Sequence, residues 1–211
     1  MICQRLAAGI AVALLLLASP LSAQRITGAA AWAESSHRLH DGSQGVAASL
    51  GIPVTDRWSL LLTAEHLRGS ESGSGTVCGD VIDPVACPAE PFRERYRLVT
   101  AGAGADAQLV RGRYVEIAAR PRITVGRASA SKRGRTTHNF LEASKAEVGL
   151  LLGIELRVSP VPHIPMALVL GADAGRQGPV NRVADGYTPF EQWHSIRAFY
   201  AGGAIAWGRA R

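Results

Sequence analysis

From Glu147 to Val158 the chain alternates with a period of two. Val148, Leu150, Leu152, Ile154, Leu156 and Val158 form one series, and Glu147, Gly149, Leu151, Gly153, Glu155 and Arg157 the other. Successive side chains of a strand point to opposite faces, so this segment predicts a strand with one aliphatic face and one small or charged face. The pattern recurs: Val115, Ile117, Ala119, Ile123 and Val125 share a face with Pro121, against Tyr114, Glu116, Ala118, Arg120, Arg122 and Thr124. Val46, Ala48, Leu50, Ile52 and Val54, and then Val99, Ala101, Ala103, Ala105 and Ala107, repeat it. In all, strands are predicted near Arg25 to Ser36, Gln44 to Val54, Trp58 to Arg68, Glu94 to Gln108, Tyr114 to Arg127, Ser144 to Val158, Ile164 to Ala174 and Gln192 to Trp207.

The connections between these segments fall into two classes. PVTDR, LVRGR and SPVPHIP, after the second, fourth and sixth strands, are tight and rich in turn residues. GSESGSGTVCGDVIDPVACPAEPF, ASASKRGRTTHNFLEA and GRQGPVNRVADGYTPFE, after the third, fifth and seventh, are long and polar, and only HRLHDG, after the first, is short among that set. Antiparallel strands return alternately to each end of a sheet, so the tight turns collect at one end and the long loops at the other. The expected fold is all-β: an eight-stranded antiparallel up-and-down barrel that crosses a membrane, since strands of about 9 to 11 residues suffice when tilted.

The choice of solvent on each side follows from what the faces carry. With the aliphatic faces inward, as in a soluble lipocalin-like ligand-binding barrel, the outer surface would be glycine and alanine with few charges, unlike a soluble surface. With the aliphatic faces in lipid, the small residues line a narrow lumen in which Glu65, Asp106, Glu116, Arg120, Arg122, Glu147, Glu155, Arg157 and Asp173 can pair. Eight strands enclose only enough room for side chains, so a charge network there predicts a plug, with a narrow small-solute channel as its variant. Trp58, Tyr114 and Trp207 then fall near the periplasmic interface and Trp32 and Phe140 near the outer one.

The ends and the composition add the compartment. Arg5 followed by LAAGIAVALLLLA, with Leu21, Ser22 and Ala23 before Gln24, reads as an export signal over residues 1–23, leaving residues 24–211 as one barrel domain. Cys3 leaves with the signal, and Cys78 and Cys87 are expected to form a disulfide in the oxidising space outside the cytoplasm. Closing so short a loop contributes roughly 2 to 3 kcal/mol in the chain-entropy view. The formal charge of +6 owes most to arginine, which matches phosphate oxygens with two parallel hydrogen bonds. Arg127, Lys132, Arg133 and Arg135 form the densest basic segment, in the expected extracellular loop after the fifth strand. An exported barrel with this charge points to anionic lipid or lipopolysaccharide rather than nucleic acid.

This strand rhythm, the loop asymmetry and the signal resemble the small eight-stranded outer-membrane β-barrels, the group of the OmpA transmembrane domain and OmpX-like proteins. The resemblance covers Arg25 to Trp207. It implies a Gram-negative outer membrane and insertion by the barrel-assembly machinery, but no single activity. Such barrels end on an aromatic residue, whereas this chain continues past Trp207 as Gly208, Arg209, Ala210 and Arg211.

Candidate chemistry is sparse. Some barrels of this size modify lipid A, but His194 and Ser195 are adjacent, so a strand turns them to opposite faces and away from the nucleophile-base geometry of a deacylase. His37, His40 and Asp41, with His66 near the same rim, lack a recognised zinc spacing, and Gly102 and Gly104 open no helix to cradle phosphate. The expected role is therefore structural or surface-binding, in envelope integrity, adhesion or lipopolysaccharide contact. No enzyme activity, cofactor or metal is expected, and the barrel is expected to be a monomer.

Overall fold

A computed structural model describes residues 24–35, 42–77, 89–161, 164–180 and 193–207. Eight antiparallel strands form a closed ring in sequence order: β1 (Gln24–Ser35), β2 (Ser43–Pro53), β3 (Trp58–Gly75), β4 (Glu90–Arg111), β5 (Val115–Gly134), β6 (Phe140–Val158), β7 (Met166–Pro179) and β8 (His194–Trp207). β1 closes on β8 in unbroken register from Gln24 opposite Trp207 to Ser35 opposite Ile196. The expected export signal and the pair Cys78 and Cys87 lie outside the described residues, as do His37, His40 and Asp41.

The faces are sorted opposite to those of a water-soluble barrel. Ile123, Leu150, Leu152, Ile154, Leu168 and Leu170 are each more than half exposed on the outside, while Glu147 and Glu155 are fully buried within. An exposed aliphatic band around a closed sheet suits hydrocarbon, where each unpaired backbone group costs several kcal/mol and only a closed strand ring leaves none.

Four strands outgrow this band. β3 runs on to Gly75, β4 begins at Glu90, β5 reaches Gly134 and β6 begins at Phe140, so segments expected as loops are strand. GSESGSG lacks an aliphatic stripe because its outward side chains stand in water, but it pairs with β4 along its whole length, from Arg68 opposite Arg97 to Gly75 opposite Glu90. The expected basic loop is corrected by the same lengthening: Arg127, Lys132 and Arg133 lie on β5 and only Arg135 lies beyond it. Phe140 is corrected as well. It pairs with Arg133, six residues above Ala146 on β6, roughly 20 Å along the strand and far past the interface. Above Arg68 the side of β3 that faces β2, and above Ala146 the side of β6 that faces β7, have no ladder partner among the described residues.

The top of this extension is tied by Glu90. Its carboxylate accepts hydrogen bonds from the hydroxyl of Thr137, from the Thr137 amide at 3.0 Å and from the Thr136 amide at 2.6 Å, across the turn between β5 and β6. The Thr137 bonds, followed by the Thr136 amide, hold the Glu90 carboxyl below the ordinary value of 4.5. His138 completes the turn at φ 60. Gly73 has no room for a side chain there, since a Cβ would lie 2.9 Å from the Phe92 ring.

A folded carboxyl held below its free value stabilises the turn above pH 4.5 and loses that contribution as the pH falls through the lowered value. Glu90→Gln is therefore expected to speed amide exchange of Thr136 and Thr137 several-fold at neutral pH, with the difference from the parent shrinking on acidification. Equal exchange in the two proteins at neutral pH would show that the clasp does not hold the turn.

Candidate functional site

The lumen is filled from the periplasmic end by a network of ion pairs. Alternation on β1, β4, β5, β6 and β7 turns Arg25, Asp106, Glu116, Arg120, Arg122, Glu155, Arg157 and Asp173 inward together. At the bottom Arg25 makes two parallel bonds to Glu116, of 2.9 and 3.1 Å. Arg157 binds Glu116 and Asp106 through its terminal nitrogens and Glu155 through Nε at 2.5 Å. Arg120 binds Glu155 and donates at 2.8 Å to the Tyr200 hydroxyl, which itself donates to Glu155 at 3.0 Å. Arg122 grips Asp173 with two bonds of 2.6 and 2.7 Å.

Four guanidiniums thus meet four carboxylates, and this balance makes the burial tolerable. Glycine makes the space. A Cβ on Gly153 would lie 2.1 Å from Asp173 Oδ1, and one on Gly171 would lie 2.0 Å from the Tyr200 ring. Arg25 was not among the predicted lumen charges, because it opens the first strand where facing is hardest to read. Its signal was parity, since it shares the odd series of β1 with Thr27 and Ala29.

Two predicted lumen charges sit apart from this network. Glu147 is buried higher up and accepts from Gln177 Nε2 at 2.8 Å rather than from an arginine. Glu65 lines a cavity of about 30 Å³ with Arg122, Asp173, Thr63 and Ser49. That volume holds one or two waters, not a solute path. Above it Leu67, Leu98, Ala31, Ala33, Ile196 and Ala198 pack into an apolar layer across the outer end of the lumen. His194 is buried and Ser195 exposed on β8, so the pair is split between the two faces.

The outer face holds a second group of arginines. On β3, β4 and β5, Arg68, Arg93, Arg95, Arg97, Arg127 and Arg133 all point outward, directly above the aliphatic band. Among the described residues of these three strands no carboxylate shares that face; Glu71, Glu90 and Glu94 have the opposite parity. Lys132 is turned away from it. Its Nζ lies 4.0 Å over the Phe92 ring and donates to the Thr76 carbonyl at 3.1 Å, so it serves the fold of the extension. Arg93, Arg95 and Arg97 were legible as an alternating series in FRERYR, but only the register sets them beside Arg68 and Arg127.

The ring order, the inverted faces and the filled lumen define the architecture. Its fold is that of the small eight-stranded outer-membrane β-barrels. The barrel is similar to the attachment invasion locus protein of Yersinia pestis, solved in complex with the heparin analogue sucrose octasulfate, at a TM-score of 0.53 and 11% identity over 88% of this chain and 98% of that one. It is similar to Neisserial surface protein A, at 0.50 and 13% over 88% and 99%. A major outer membrane protein of Thermus thermophilus gives 0.55 and 14% over 89% and 100%. No protein-family model and no curated protein sequence matches the chain.

The lumen network yields a direct test. Asp173→Ala leaves Arg122 buried without its carboxylate and is expected to cost about 3 to 5 kcal/mol. The unfolding midpoint of the barrel, read from loss of the fast-migrating unboiled form on gels, falls accordingly. Arg122→Met with Asp173→Leu removes both charges and is expected to recover most of that loss; no recovery would show that the geometry of the site, not the unpaired charge, was limiting.

Proposed function

We propose that this chain is an outer-membrane β-barrel with a structural and surface-binding role, exported by its N-terminal signal and inserted by the barrel-assembly machinery as a monomer. The observation that carries this reading is the outward arginine face of β3, β4 and β5, which stands above the aliphatic band with no carboxylate among the described residues of those three strands, the neighbouring outward one being Glu142 on β6 opposite Ser131. Its complement is a surface bearing phosphate or sulfate groups, since guanidiniums bind such oxygens in pairs and a field of one sign concentrates polyanions. The sulfated ligand of the Yersinia barrel is a precedent for this chemistry in the fold.

Neither a pore nor an enzyme is favoured. The ion pairs and the apolar layer above them block the lumen at two levels. His194 and Ser195 face apart, which argues against a lipid-A deacylase arrangement. A soluble periplasmic barrel would have to leave Leu150, Leu152 and Ile154 in water.

The deciding experiment has three parts run on one preparation. The protein is expected in the outer-membrane fraction with a heat-modifiable gel band. It is expected to give no single-channel steps in planar bilayers, and to be retained on immobilised heparin until salt is raised. Recovery from the soluble periplasm overturns the membrane reading, regular conductance steps overturn the closed lumen, and salt-independent or absent retention overturns the polyanion surface.

A further inference from the structure

Three of the outward arginines differ from the rest in how they are held. Arg68 and Arg97 lie directly opposite one another on β3 and β4, and each donates its Nε to the same acceptor, His66 Nε2, at 3.2 Å. Arg127, on β5 opposite Val99, donates its Nε to Ser144 Oγ at 2.5 Å. Each guanidinium is thus pinned by its inner edge, and its terminal nitrogens make no hydrogen bond among the described residues. Like charges placed directly across a ladder destabilise it, so the unliganded pair carries a cost that an anion would remove.

Their height is as informative as their charge. Val99 and Val125 are the last aliphatic residues of the outer band on their strands, and Arg97 and Arg127 are the next outward positions. Below them Ala101, Ala103 and Ala105 run down β4 between Leu62 and Leu60 on β3 and Ile123 on β5. That row of small side chains is flanked by larger aliphatic ones on the lipid-facing surface and ends at Val99, one outward position below Arg97. An anion that arrives with acyl chains fits both parts. A free one fits only the upper part.

We propose that Arg68, Arg97 and Arg127, with His66 as the anchor of the first two, bind the phosphate groups of a phosphorylated glycolipid of the outer leaflet, whose acyl chains lie along the alanine row of β4. The site rests on the membrane orientation and on the arginine face assigned above, and it commits the lower tier of that face to a lipid. Arg93, Arg95 and Arg133, higher on the same strands, remain free for soluble or cell-surface polyanions. His66 works as a positioning residue: in its neutral form the Nε2 lone pair holds both guanidiniums at a fixed spacing, so that each offers two nitrogens in one direction.

The test uses the purified full barrel in detergent micelles, offered diphosphoryl lipid A or the same lipid stripped of both phosphates, with bound lipid counted by native mass spectrometry. The parent protein is expected to retain the diphosphoryl lipid and release the stripped one. Arg68→Gln with Arg97→Gln is expected to weaken retention about tenfold or more, as the loss of two charge-assisted contacts implies. A heat-modifiable band confirms that this variant is folded, and the milder Arg68→Lys with Arg97→Lys is expected to fall between the two. Arg93→Gln with Arg133→Gln is expected to keep the lipid while losing affinity for heparin.

Equal retention of the stripped lipid, or full retention by the Arg68→Gln, Arg97→Gln variant, overturns the site. In either case heparin binding by the upper tier still stands, so the broader reading survives independently. Displacement of the lipid by inorganic phosphate at equal concentration overturns the lipid as the source of the anion. Resistance to that displacement supports the alanine row as the seat of the acyl chains.

Discussion

A strand in hydrocarbon cannot leave an amide or carbonyl without a partner, and this condition governs the rest of the molecule. It is met by closure, with β1 and β8 in register along the whole of β1. Closure with eight strands fixes a bore too narrow for water to fill, so the inside must be packed with side chains. The chain packs it with opposite charges. That choice in turn demands glycine at Gly153 and Gly171, because the network is too bulky to pass beside even a methyl group on those strands.

The same side chain, arginine, is used in two opposite ways. Inside, Arg122 and Arg157 have their terminal nitrogens satisfied by carboxylates, so their charge is spent on cohesion and cannot attract anything from outside. Outside, Arg68, Arg97 and Arg127 are held, among the described residues, by Nε, which fixes direction and leaves the terminal nitrogens turned outward. Burial with partners makes a structural element, whereas anchoring without a counter-charge makes a receptor for one.

The number of strands, their order and the facing of the membrane-spanning parts of β5 and β6 were legible in the sequence, because a period of two is a local property and the charges of those strands stay in phase with it, whereas the inward facing of Arg25 and Lys132 was not. The upper halves of β3 and β5 were not. GSESGSG and ASASKRG carry no apolar stripe, since their outward side chains stand in water, and their strand character comes from pairing with the more patterned β4 and β6. The membership of the lumen network was largely readable as inward parity, but its pairings were not. Which arginine meets which acid depends on the stagger between strands, a property of the closed ring, and so Glu147 met a glutamine where an arginine was available to the eye. The arginines of β3 and β4 were hidden for the same reason, being neighbours in register but 29 residues apart from Arg68 to Arg97.

The tall half of the barrel also sets how deeply it can sit. Arg93, Arg95 and Arg133 stand outward there, above the aliphatic band. Such charges are harmless in water and costly in lipid. They therefore act as a float line. Any sinking or tipping toward the tall side would drag them into hydrocarbon, so the barrel is held upright from above by side chains that refuse lipid, just as it is held together below by a backbone that is paired.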